Sequence, residues 1–180
     1  ATALVVVANE LVGGRLKRDE FLEAAGIEVD HNDPKLARDA VNSAIYRLRD
    51  IVGQDGILTD RATPRLNLAV LRVDLIEAAA FLREAADAMQ QGRPARARDA
   101  AIRALDLTRG EVPFPTLYEG LFEELRDELE LRLRSVVLRA GALALREGDA
   151  EEAESLAGRA WRILPGDDEV AELYCRALEA

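Results

Sequence analysis

One offset governs the second half of this chain. Shifted by 56 positions, Gly92 meets Gly148, Ala97 meets Ala153, Ala101 meets Ala157, Arg103 meets Arg159 and Ala104 meets Ala160. The next pair, Leu105 and Trp161, is apolar in both copies. A turn glycine followed by small residues at helical spacing predicts a helix packed closely on the one before it. From Val73 onwards the chain therefore reads as all helix. Helices are predicted over Asp74–Gln91, Ala95–Thr108, Asp149–Leu164 and Asp168–Leu178, with Leu117–Arg146 as one long helix or two joined ones. The stretch 110–115, with Pro113 and Pro115, is a connection, and Gly92, Gly148 and Pro165-Gly166 are punctuation. The offset is long for one helical pair, so an intervening pair with an atypical or longer helix is expected.

Residues 1–72 follow another pattern. Leu4-Val5-Val6-Val7 is a strand by its β-branching, and equally a short buried helix by its length and by Asn9-Glu10-Leu11 after it. Gly13-Gly14 breaks the chain. Lys17 to Ala25 predicts a short helix stopped by Gly26. Asn32-Asp33-Pro34 then announces a longer one, with Asp33 as N-cap and Pro34 in the first turn, running to Val52 and ending at Gly53. Its apolar stripe is Leu36, Val41, Ala44, Ile45, Leu48 and Val52, and its opposite face shows Lys35, Arg38, Asn42, Tyr46 and Arg49. Ile57-Leu58-Thr59 and Arg65-Leu66-Asn67-Leu68, separated by a polar turn with Arg61, predict a β-hairpin. Helix, short helix, capped helix and hairpin in that order are a winged helix-turn-helix pattern, in which one helix enters the major groove.

The chain has 180 residues, 49% of them hydrophobic and 32% charged, enough for one sizeable core or two small ones. This composition excludes collagen-like, low-complexity and disordered chains. No apolar run approaches a membrane span, which predicts a soluble protein with no membrane partner. A single cysteine, Cys175, forbids an internal disulfide and suits the cytoplasm. A net charge of −10 argues against nucleic acid when taken alone. The charge is unevenly divided, however. Residues 1–73 hold ten basic and eleven acidic side chains, against fourteen and twenty-three in residues 74–180. Between Lys35 and Arg72 seven basic residues face four acidic ones.

The segment Ala40-Val41-Asn42-Ser43-Ala44-Ile45-Tyr46-Arg47-Leu48-Arg49 resembles the recognition helix of OmpR-type winged helices, which end in a similar Ile-x-Arg-Leu-Arg pattern. Ile57 to Leu66 looks like the wing of that family, and the Gly92 and Gly148 pairs are similar to tetratricopeptide-type helical pairs. A winged helix joined directly to such an array resembles the SARP family of bacterial transcriptional activators. The resemblance covers nearly the whole chain and rests on order and spacing. It implies a mainly α fold: a winged helix with a small β-hairpin wing over residues 1–72, and a tetratricopeptide-like bacterial transcriptional activator domain over 73–180. The small sheet that opens the family's winged helix would precede Ala1. It further implies double-stranded DNA as partner, contacted by Lys35, Arg38, Asn42, Tyr46, Arg47 and Arg49 on the helix and by Arg61 and Arg65 in or beside the wing. The helical array would form a homodimer and touch RNA polymerase. Asp39 and Asp50 flank the DNA-facing side.

A second class of function stands beside this one. The winged helix would no longer bind DNA and would cap a protein-interaction scaffold. Low basicity favours it, as does Thr63-Pro64 standing where the family's wing carries a Gly-Tyr pair. Catalysis is not expected, because no nucleophile, base and orienter assemble. His31 is the lone histidine, in a polar loop, so neither a metal site nor a cofactor is expected. Cys175 reads as a core or interface hydrophobe, Trp161 as core or a repeat interface, and Glu123, Glu124 and Glu128 as surface partners of Arg126, Arg132 and Arg134.

Overall fold

The valine run that opens the chain is helical. In the computed structural model, which describes residues 2–29, 33–59, 63–114, 117 and 120–180, α1 spans Thr2–Leu11. Branched side chains lower helix propensity, but Val5, Val6 and Ala8 are wholly buried, and burial outweighs propensity in so short a segment. The helices α2 (Arg18–Ala24) and α3 (Pro34–Val52) follow. Asp33 caps α3, its Oδ1 accepting the N–H groups of Lys35 at 2.9 Å and Leu36 at 3.2 Å. The strands β1 (Ile57–Leu58) and β2 (Arg65–Leu66) pair antiparallel, Ile57 opposite Leu66, each shorter than its sequence run. Phe21, Leu22, Val41, Ala44, Leu48, Ile57 and Leu66 are buried. Leu36 is not; it is 50% exposed. It stands five residues before Val41, about 140° around the helix, so the predicted stripe begins one residue too early.

Two polar side chains of α1 fasten the hairpin. Asn9, wholly buried, donates from Nδ2 to the Pro64 carbonyl at 3.3 Å and accepts the Leu16 N–H at 3.1 Å. Glu10 accepts Nε and Nη2 of Arg65 at 2.9 and 2.6 Å and the Leu66 N–H at 2.9 Å. Buried Thr63 donates its hydroxyl to the Leu16 carbonyl at 3.2 Å. Gly14 has φ +71°, and a Cβ there would lie 2.8 Å from the Arg65 guanidinium, so the glycine clears the route by which Arg65 reaches Glu10.

The chain divides into two compact units, Ala1–Ile76 and Glu77–Ala180. Helix α4 (Asp74–Gln90) leads into the second, which holds α5 (Pro94–Thr108), α6 (Leu121–Glu147), α7 (Ala150–Ile163) and α8 (Asp168–Glu179). The 56-residue offset carries α5 onto α7 and one turn glycine onto the other, with φ +67° at Gly92 and +81° at Gly148. Ala97, Ala101, Ala104, Ala153, Ala157 and Ala160 are all fully buried. No intervening helical pair occurs among the described residues. The extra length lies in the connection after α5 and in α6, a single helix that starts ahead of the position matching Asp74. Arg126 holds that connection by donating to the carbonyls of Pro113 at 3.1 Å, Phe114 at 2.8 Å and Leu117. Helix α8 closes the unit over two glycines: a Cβ on Gly141 would meet Leu173 at 2.6 Å, and one on Gly158 would meet Tyr174 at 3.0 Å.

Candidate nucleic-acid interface

Helix α3 presents the predicted DNA-facing residues unequally. Lys35, Arg38, Asn42 and Tyr46 are exposed, Tyr46 by 65%, and their spacings of three and four residues align them along one flank. Arg49 continues that flank but is half-buried and turned inward, with Nη2 donating to the Ile57 carbonyl at 3.2 Å. It ties α3 to β1. Arg47 is exposed, but two residues from Arg49 is about 200° of helical rotation, so it emerges on the other flank. The sequence pattern groups Arg47 and Arg49; the helix separates them.

Beside the first flank, and sharing Tyr46 with it, runs a line of Asp39, Ser43, Tyr46 and Asp50, spaced by four, three and four residues and all exposed. The two aspartates therefore occupy the middle of the outward surface rather than its margins. Arg38 lies 4.0 Å from Asp39, an exposed pairing that water screens.

The hairpin contributes less than its sequence suggests. Arg65 is engaged bidentately by Glu10, whose side chain is only 3% exposed, so the guanidinium is committed to holding β2 on α1. Arg61 lies outside the described residues, as does His31. Sequence reasoning missed Glu10 because its partner stands 55 positions away and no local pattern links them.

Elsewhere, Cys175 is exposed rather than a core residue. Trp161 packs against the core of the second unit, as its spacing implies. Of the charged residues on α6, Arg132 pairs with Glu128 one turn away, whereas Arg134 reaches α8 instead, at 2.6 Å from Asp167 and 3.0 Å from Glu169. Among the described residues no group of histidine, cysteine or carboxylate side chains could hold a metal ion, and no helix is long and apolar enough to cross a membrane. No protein-family model matches the chain, and no curated protein matches it.

Proposed function

We propose that the chain is a DNA-binding transcriptional regulator similar to the SARP activators, working in the cytoplasm. Its first unit is read as a winged helix with α3 directed at the major groove, and its second as a tetratricopeptide-like array that forms the homodimer and contacts RNA polymerase. The observation that carries this reading is the exposed flank Lys35, Arg38, Asn42 and Tyr46 on a long, capped helix. Lysine and arginine suit phosphates, and the Asn42 amide suits the donor and acceptor edge of adenine. Dimerisation is part of the mechanism, because a chain of net charge −10 needs two half-sites to gather enough phosphate contacts.

A second reading is favoured by one specific observation. The acidic midline of Asp39 and Asp50, with Arg65 bound to Glu10, suits a first unit that serves only as a cap on an interaction scaffold. Binding of the full chain to random-sequence duplex DNA, at low and at moderate salt, separates the two. The regulator binds in a salt-sensitive manner, and Lys35→Glu/Arg38→Glu removes that binding while the helical circular dichroism stays unchanged. A folded chain without binding at low salt overturns the regulator and leaves the scaffold.

A further inference from the structure

The second unit carries a groove of unusual charge. It has a volume of about 370 Å³ and lies between the Gly92 turn and α6, lined by Met89, Arg93, Pro94, Arg139, Leu143 and Arg146. Arg139, Leu143 and Arg146 are spaced by four and three residues, so they form one stripe of α6 with the leucine between the arginines. No acidic residue lines the groove among the described residues. Among the described residues none of its three arginines joins an ion pair, whereas neighbouring Arg96 and Arg98 are matched by Glu84, and by Glu147 and Glu152. This occurs in the part of the chain where acidic residues outnumber basic ones by twenty-three to fourteen.

The internal repeat supplies an independent comparison. Position 93 corresponds to position 149, and each is the N-cap of the helix after its turn glycine. Asp149 caps α7 through its side chain, which accepts the Glu152 N–H at 3.0 Å, and Glu151 and Glu152 follow in the first turn. Arg93 makes no side-chain cap, and the first turn of α5 has no acidic residue. Arginine there forgoes a cap and sets a cation at the positive end of the helix dipole. Among the described residues no acidic side chain of the first turn offsets this, so the position favours an anion brought from outside.

We propose that the groove binds a short acidic peptide segment of a partner protein, with carboxylates on Arg93, Arg139 and Arg146 and an apolar side chain on Met89, Pro94 and Leu143. The spread of the arginines selects this occupant. Arg139 and Arg146 stand two turns apart, about 10 Å along the axis, which suits several carboxylates strung along a chain better than one compact anion. The apolar strip between them serves no phosphate, and methionine adapts to varied apolar anchors. Duplex DNA would also meet the surrounding excess of carboxylates. The site belongs to the second unit, so it stands whether or not the first unit binds DNA.

The test is fluorescence anisotropy of the full chain with a labelled peptide, acetyl-Asp-Glu-Leu-Asp-Glu-Leu-Glu-Asp-amide. Saturable binding is expected, weakened about tenfold or more by Arg139→Glu and within about twofold of wild type for Arg83→Glu, a charge change of the same sign outside the groove. Replacing both leucines of the peptide by serine weakens binding. Arg93→Asp restores the consensus cap: it raises the unfolding temperature and abolishes binding, a combination that a merely structural arginine does not produce. Absence of saturable binding overturns the proposal, as does equal weakening by Arg83→Glu. Displacement by inorganic phosphate or duplex DNA at matched ionic strength overturns it in favour of a phosphate site.

Discussion

Glu10 illustrates how one side chain sets the role of another. Its carboxylate is nearly buried, so it requires a cation, and Arg65 supplies one with two hydrogen bonds. Glu10→Ala removes these and the bond to the Leu66 N–H. A loss of about 1–3 kcal/mol is expected in urea unfolding, since a partly buried charge loses its partner. Gly141→Ala acts by contact alone, because the added methyl meets Leu173 at 2.6 Å inside the packed unit. Overpacking of that kind destabilises by about 1–3 kcal/mol, readable in the same experiment. Burial pushes the carboxyl groups of Glu130 and Glu152 up, with Arg126 and Arg98 respectively pulling them back. A raised folded value means that the folded chain holds the proton more tightly, so each group's contribution becomes less favourable as pH rises through the glutamate range. Glu130→Gln should therefore raise the unfolding temperature near neutral pH and change little below that range, and melts at both pH values check this.

At the scale of elements, sequence patterns were most informative where a local rule was obeyed. Asp33, Pro34 and Gly53 bound α3 because capping and termination are settled within a few residues. The two turn glycines and the alanines after them located α5 and α7, since close helix packing needs small residues at fixed spacing. Asp149→Ala is expected to lower stability by about 1 kcal/mol through loss of its cap, measurable by thermal unfolding. The state of residues 4–7 was left open by the sequence because valine favours strands while a short apolar run fits either element. Leu36 is apolar but out of phase with the buried stripe, which Ala37 joins instead, so hydrophobicity without angular phase does not place it. The candidate interface was legible only in part. Lys35, Arg38, Asn42 and Tyr46 share a flank that their spacing reveals, but the inward turn of Arg49 depends on the Ile57 carbonyl, which belongs to another element.

The whole molecule holds two compact units, each with its own buried residues. Phe21 is fully buried in the first, and Leu82 is 3% exposed within the core of the second. Phe21→Ala is expected to cost about 3–5 kcal/mol of the first unit's stability, while amides of α5 to α8 keep their hydrogen-exchange protection. Loss of protection throughout would mean that the units unfold as one. By itself, the sequence determined the helical class, the caps and stops, the internal repeat and the uneven charge, because each is written in neighbouring residues or in a fixed period. The tertiary structure alone decided which charges are spent inside the fold. Arg65 answers to a glutamate 55 positions earlier, Arg49 to a strand carbonyl, and Arg96 and Arg98 to carboxylates on other helices, leaving Arg93, Arg139 and Arg146 to line one groove. Partners this far apart in the chain are matched only by packing, so no local pattern can show which basic residues remain available to a ligand.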